Sequence, residues 1–157
     1  MPQRSAQHAT FVIERTFNAP PALVFQCFSD PKMKARWFEG PPDWEKGPRA
    51  FDFRVGGRET SSGGPKGGPQ HRFECLYQDI VPNQRIVYSY DMHLDDKRIS
   101  VSLTTIEFSK DGKRTAIKFT EQGVFLDGYD DAGGREHGSR WLIDKLGEVA
   151  ESAAAAA

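Results

Sequence analysis

Apolar runs are short throughout the chain, and none approaches the roughly 18–20 residues that a helix needs to cross a bilayer. The opening segment, residues 1–9, is polar and places no apolar stretch ahead of a small-residue cleavage site, so no secretory signal is expected. Cysteine is scarce. Cys27 and Cys75 are the only two, far apart and at no metal-ligand spacing, and the expectation is free thiols in a reducing, cytoplasmic setting. Neither sign of charge dominates, with 21 Lys plus Arg against 22 Asp plus Glu. A nucleic-acid binder normally carries a basic face or stripe, so this balance argues against nucleic acid as a partner.

Catalytic and cofactor signatures are also missing. Ser61 and Ser139 lack the flanking glycines of a nucleophile elbow. A P-loop needs Gly-Lys followed by Ser or Thr, whereas Gly112-Lys113 runs into Arg114. Gly133-Gly134 lacks dinucleotide-binding spacing and follows a loop rather than a strand. The four histidines, His8, His71, His93 and His137, never pair at metal-ligand spacing. Asp127, Asp130 and Asp131 miss the calcium-loop pattern and read as a solvated turn with charge at a helix N-terminus. No cofactor and no metal are expected.

What is present is one domain. Its 157 residues are 38% hydrophobic and 27% charged, a globular composition. A chain this long buries roughly 70% of its unfolded surface. The expected domain is 10–151, with a polar segment 1–9 before it and an alanine-rich tail 152–157 after it.

Residues 10–17 alternate, with Phe11, Ile13 and Phe17 on one parity, which predicts a strand. Pro20 and Pro21 suit the first turn of a helix that carries Val24, Cys27 and Phe28 and stops at Pro31. A short second helix, 32–38, puts Met33 and Trp37 on one face. The period then becomes two. Phe51, Phe53 and Val55 share one parity; His71, Phe73, Cys75 and Tyr77 another; Ile86, Tyr88, Tyr90 and Met92 a third; Thr115, Ile117, Phe119 and Glu121 a fourth. The glycine-rich stretch 56–69 reads as a mobile hairpin loop. In 99–108 the apolar parity changes, from Ile99, Val101 and Leu103 to Ile106 and Phe108, and a bulge near 103–105 would reconcile the halves. Asp111-Gly112 marks a tight hairpin turn and Asp95-Asp96 another. From 133 to 151 the spacing is helical, with Leu142, Leu146 and Val149 in a stripe and Trp141 on its shoulder. The predicted fold is α+β: a curved antiparallel sheet of about seven strands covered by the long C-terminal helix.

Candidate site residues follow from these parities. Phe53, Phe73, Tyr88, Tyr90 and Phe119 are expected to face the C-terminal helix. Glu121 and His71 share inward parities and sit inside or at the rim; a buried carboxylate must be paired, wetted or protonated. Desolvation by Phe119 and its neighbours is expected to raise the Glu121 pKa, and a nearby Arg or Lys would reverse that shift. Gly138 lies four residues before Leu142 on the same helix face. It permits close helix–sheet packing, precedes the helix, or leaves room for a ligand.

The order of elements carries a resemblance. The run Arg15 to Pro20 (RTFNAP), Val24-Phe25, Asp30-Pro31, Ala35-Arg36-Trp37, Gly56-Gly57-Arg58 and Arg85 to Tyr90 (RIVYSY) resemble the SRPBCC superfamily. Within it they resemble the family named for the C-terminal domain of the activator of heat-shock protein 90 ATPase. Met92 to Asp96 (MHLDD), Ser100 to Leu103 (SVSL), Phe119 to Gly123 (FTEQG) and Phe125 to Asp131 (FLDGYDD) resemble a bacterial stand-alone subfamily.

The resemblance implies a START-like helix-grip fold with a cavity between sheet and helix. Members bind apolar small molecules, and some are cyclases or hydrolases. The expected function is therefore binding of an apolar or amphipathic small molecule, with Trp37, Phe53, His71, Phe73, Tyr88, Tyr90, Phe119, Glu121, Gly138, Trp141 and Leu142 as cavity candidates. One alternative is a polyketide-cyclase-like enzyme using Glu121, His71 or a tyrosine as acid or base. Another is a protein-interaction module whose partner is a chaperone or a second copy of the chain. Chaperone activation fits least, because the eukaryotic activators carry an additional N-terminal domain for which this chain has no room.

Overall fold

A computed structural model describes residues 4–157, so the first three residues of the expected N-terminal segment lie outside the described residues. The element order is β1 (Ala6–Phe17), α1 (Pro21–Ser29), α2 (Pro31–Trp37), β2 (Trp44–Phe51), β3 (Arg58–Pro65), β4 (His71–Val81), β5 (Arg85–Leu94), β6 (Lys97–Asp111), β7 (Arg114–Leu126) and α3 (Ala132–Ala156). The strands form one curved antiparallel sheet in the order β1-β7-β6-β5-β4-β3-β2. The α+β helix-grip architecture expected from the sequence is the observed one. Strand β1 reaches back to Ala6, and α3 continues through the alanines to Ala156. No described helix is long and apolar enough to cross a membrane.

Local chemistry sets the helix boundaries. Pro21 opens α1, and Asp30 caps α2, its carboxylate accepting from the backbone N–H of Lys32 and Met33. Asp131 caps α3 by accepting from Gly134 N–H at 2.7 Å. The inward face of α2 differs from the expected one. Lys34 and Trp37 are buried while Met33 is half-buried.

Three strand assignments need correction. The stretch 56–69 is not a loop: Arg58–Pro65 is β3, paired with β2 and β4. Gly and Pro are depleted in strands, and here neighbouring strands impose the ladder. The strand placed on Phe51, Phe53 and Val55 instead spans Trp44–Phe51, and Val55 is exposed. In β6 the bulge lies at Ile99, not near 103–105. The β5–β6 register runs Met92↔Ser100 and then His93↔Arg98, leaving Ile99 unpaired. From Ser100 onward the parity is unbroken, so Ser100, Ser102, Thr104, Ile106 and Phe108 point inward and Val101 and Leu103 are exposed, while the bulge turns Ile99 inward beside Ser100. Strand β2, at a sheet edge, is irregular too: its register shifts between Lys46 and Arg49, across Gly47-Pro48.

The core lies under α1 and the C-terminal half of α3. Ile13, Val24, Ile106, Ile117 and Leu146 are essentially inaccessible. Phe25 and Phe28 each meet Phe108 edge-on, with centroids 5.6 and 5.7 Å apart. Phe53 belongs to this layer, packing on Tyr77 at 4.9 Å and Phe25 at 5.7 Å. Buried Cys27 and Cys75 are free, and burial pushes their thiols up to about 11 and about 12 respectively.

The two halves of α3 meet the sheet differently. A Cβ on Gly147 would lie 2.6 Å from Phe17 Cε1, inside contact distance, whereas a Cβ on Gly138 would meet nothing within 4 Å. Close packing thus depends on Gly147, and Gly138, well inside the helix, fronts open space. The same substitution at the two positions is expected to have opposite signs. Gly138→Ala should gain about 0.5–1 kcal/mol through helix propensity. Gly147→Ala should lose about 1 kcal/mol or more through overpacking against Phe17. Urea denaturation of both variants checks this, and a Gly147→Ala protein as stable as the parent would contradict the packing.

Candidate functional site

A cavity of about 780 Å³ lies between the sheet and the N-terminal half of α3, with α2 and the chain after it as a third wall. Its position follows from the alternation of the strands. Phe73 on β4, Tyr88 and Tyr90 on β5, and Phe119 and Glu121 on β7 all point to the concave face. From α3 come Arg135, Gly138, Trp141 and Leu142, and from α2 Lys34 and Trp37. Ten of the eleven residues singled out from the sequence line this cavity: Trp37, His71, Phe73, Tyr88, Tyr90, Phe119, Glu121, Gly138, Trp141 and Leu142. Phe53 does not, because β2 ends at Phe51 and carries it past the ladder into the core below α1.

The apolar lining is mostly aromatic. Phe73 stands at 4.9 Å from Tyr90, Tyr88 at 5.9 Å from Tyr90, and Phe38 at 5.0 Å from Phe73. Burial first, then the negative groups around it, raises the Tyr88 phenol well above its ordinary value. Tyr88 is therefore a neutral hydroxyl at physiological pH. At the rim, His71 stacks on Trp44 with ring centroids 4.6 Å apart. Burial lowers the His71 pKa against the opposing pull of Asp130 and Asp95, so the imidazole is neutral above mildly acidic pH. Trp37 has a structural task as well, since its Nε1–H donates to the Cys27 carbonyl at 2.8 Å and ties α2 to α1.

Two buried ionic groups border the cavity, and the sequence reading anticipated one of their members. Glu121 is 1% exposed. Its oxygens accept from Tyr90 Oη at 2.8 Å and Thr104 Oγ1 at 3.2 Å, and Arg135 Nη1 lies 3.7 Å away. Arg135 also donates to Tyr90 Oη, Ser100 Oγ and Asp130 Oδ2 at 2.8–3.0 Å. Desolvation raises the Glu121 pKa, and the Tyr90 hydrogen bond and Arg135 oppose it without reversing the shift. A nearby arginine is thus present, but it is shared with Asp130 and does not bring the value below normal. Desolvation works against the Arg135 charge, and Tyr90, Glu121 and Asp130 outweigh it, so the guanidinium stays charged.

The second group is Lys34 with Glu59. Lys34 Nζ lies 3.0 Å from Glu59 Oε1, and Tyr77 Oη donates to the same oxygen at 2.6 Å. Glu59 Oε2 is buried with no hydrogen-bond partner among the described residues.

Arg135 was legible in principle. It falls three residues before Gly138 and seven before Leu142, on the same helix stripe. Lys34 lies three before Trp37 in the same way. Glu59 sat in the stretch misread as a loop, and Ser100, Ser102 and Thr104 were hidden by the apolar parity of their neighbours.

On the convex face, Glu74, Asp91 and His93 bring one ligand-type atom each within 4.8 Å of one another, a grouping that histidine spacing did not disclose. Arg72 already binds Glu74, and Arg98 lies 3.6 Å from Asp91. A second concavity, of about 670 Å³, lies at the other end of the sheet and is lined by Glu14, Arg15, Arg85, Glu107 and Lys118 among others. It is a charged surface depression.

The cavity's setting, under a long C-terminal helix gripped by a seven-stranded sheet, is that of a known family. Residues 18–151 match the model for activator of Hsp90 ATPase homolog 1-like proteins. The chain belongs to that family, within the SRPBCC superfamily. A protein from Rhizobium leguminosarum, solved as a three-dimensional structure, is 45% identical over 96% of this chain and 99% of its own, with a TM-score of 0.90. A crystal structure of a Rhizobium loti protein is 44% identical over 92% of this chain and 99% of its own, with a TM-score of 0.86. A protein of the dynemicin biosynthetic locus shares the fold at 13% identity, covering 92% of this chain and 48% of its own, with a TM-score of 0.67. No functionally curated protein matches the chain.

The Glu121 shift sets a pH dependence. Its folded pKa lies above the ordinary 4.5, so the folded state binds the proton more tightly than the unfolded chain. The resulting stabilisation is complete below the ordinary value and is lost as pH rises through the folded one. Between about pH 4 and about pH 8, thermal melts of the parent should fall relative to Glu121→Gln, which carries no titrating proton. A parent that gains stability relative to the variant over that range would show the shift to have the other sign.

Proposed function

We propose that the protein binds an apolar or amphipathic small molecule in the cavity between its sheet and α3. The observation that carries this reading is a helix backed by empty volume. Gly138, which lines the cavity with Phe73, Tyr88 and Phe119, has open space in front of it, while nine residues further along α3 Gly147 is in tight contact with Phe17. A volume of about 780 Å³ falls within the range of about 300–1,000 Å³ usual for small-molecule sites, and a mainly apolar, aromatic-rich surface is the usual composition. Membership of the SRPBCC superfamily supports the same reading.

Binding is favoured over acid–base catalysis by Glu121 because of that residue's state. Both of its oxygens are engaged by protein donors and it is almost wholly buried. A general base must reach the proton it removes, directly or through one water. Glu121 instead fixes Tyr90 and Arg135, which shape the cavity wall. The fold shared with the dynemicin-locus protein supports no transfer of chemistry at that identity.

The test uses N-phenyl-1-naphthylamine, an apolar dye whose emission rises in a dry site. The parent protein should bind it, and Gly138→Phe, which projects a ring into the cavity, should bind it at least about tenfold more weakly with a melting temperature within about 4 °C of the parent. Native mass spectrometry of freshly purified protein should show a retained small molecule. A parent that binds no dye, with a Gly138→Phe variant that melts far lower, would make this interface an ordinary core.

A further inference from the structure

We infer that Lys34 is the polar anchor of the cavity and that it selects ligands carrying a neutral oxygen acceptor, a carbonyl above all, on an otherwise apolar body. The inference rests on the cavity being a ligand site. It starts from the way the Lys34–Glu59 pair is placed. Lys34 lines the cavity and Glu59 does not. The side chains are 7% and 1% exposed, so neither charge is met by bulk water. The cavity therefore sees the positive end of a buried ion pair.

An ammonium group has three N–H donors. Among the described residues Lys34 has one hydrogen-bond acceptor, Glu59 Oε1 at 3.0 Å. It also lies over three ring faces, Phe38 at 4.4 Å, Trp37 at 5.4 Å and Phe51 at 5.5 Å. Ring faces attract the charge but leave the donors short of an acceptor. An oxygen lone pair arriving from the cavity would complete the set.

Charge decides which oxygen. Lys34 and Glu59 sum to zero, and the cavity's other buried cation, Arg135, is already held by Asp130 and lies near Glu121. Arg49, the lining cation without a carboxylate partner among the described residues, is exposed and donates to the Phe38 carbonyl at 2.7 Å, so a ligand carboxylate beside Lys34 would be an extra buried charge among aromatic rings, which is costly. A ketone, ester or quinone-type carbonyl accepts the hydrogen bond without that cost.

Three ligands of one ring size separate these possibilities: 2-acetylnaphthalene, 2-ethylnaphthalene and 2-naphthoate, each used to displace N-phenyl-1-naphthylamine. The parent should bind the ketone at least about tenfold more tightly than the hydrocarbon, the lower end of the scale of one hydrogen bond to a charged donor. It should bind 2-naphthoate more weakly than the ketone. Removing Lys34 alone would strand a buried carboxylate, so the variant is Lys34→Met with Glu59→Gln. In it the ratio of ketone to 2-ethylnaphthalene affinity should fall to about one, whatever the change in hydrocarbon binding itself.

Equal binding of ketone and hydrocarbon by the parent, or a ketone preference that survives in the double variant, overturns the inference and leaves the cavity reading standing. Tighter binding of 2-naphthoate than of the ketone overturns the choice of a neutral acceptor. A parent that binds neither dye nor naphthalenes removes both readings. A measurement on the parent alone covers the case of a variant that does not fold. The carbonyl stretch of bound 2-acetylnaphthalene should lie below its position in hexane, and an unshifted band overturns the inference.

Discussion

The governing constraint is geometric. A straight helix laid across the hollow of a curved sheet cannot touch it along its whole length, and this sheet has only one long helix to cover it. The chain brings α3 into contact at its C-terminal half, where Leu146, Gly147, Val149 and Ala150 are buried. Helix α1 and the Phe25, Phe28 and Phe108 cluster fill the space beside that contact. At the N-terminal half the helix stands off. It is held there by Arg135, whose bonds to Tyr90 and Ser100 work as a strut from helix to sheet. Cavity and core are two ends of one interface.

The buried charges follow from that arrangement. A guanidinium reaching inward from the first turns of α3 must find acceptors, and β5, β6, β7 and the α3 N-terminus supply them through Tyr90, Ser100, Glu121 and Asp130. Strand β6 is part of the same solution, because the parity that buries Ile106 and Phe108 also turns Ser100 and Thr104 inward to serve this cluster. The Lys34–Glu59 pair is separate. It joins α2 to β3 and shares Glu59 with Tyr77, so it braces the other side of the cavity. Each side is therefore defined by polar contacts that fix geometry more than they add stability.

The legible parts of the sequence were those with regular periods. The inward sets of β4, β5 and β7 followed from alternation, and Glu121 was placed inward because it shared the parity of Ile117 and Phe119. The stripe Gly138, Leu142, Leu146 located the covering helix. Misreadings arose where tertiary context overrides local pattern. Strand β6 carries Val101 and Leu103 on its outward face, and the bulge that leaves Ile99 unpaired turns that residue alone of the odd set inward. Strand β3 ends in a run of Ser, Gly and Pro, residues that favour turns, and is held by ladders on both sides. Phe53 has the right parity and the wrong location, since the strand that would carry it inward has already ended. Lys34 and Arg135 were overlooked for another reason: a charged residue on an inward stripe is ordinarily solvated, and only the positions of Glu59, Glu121 and Asp130, far off in sequence or read as surface charge, make burial tolerable.

The irregularity in β2 bears on how the molecule behaves in a crowd. A sheet that is not closed has two open margins, and an unbroken one invites edge-to-edge joining with another chain. The β2 margin is interrupted where its register slips between Lys46 and Arg49, and proline at position 48 cannot donate a backbone hydrogen bond there. Both flanking side chains are cationic and exposed. This margin also carries Trp44 at the cavity rim, a large aromatic group beside unpaired backbone. Breaking the strand at that point lets the rim keep its aromatic group while denying neighbouring molecules a continuous template for polymerisation.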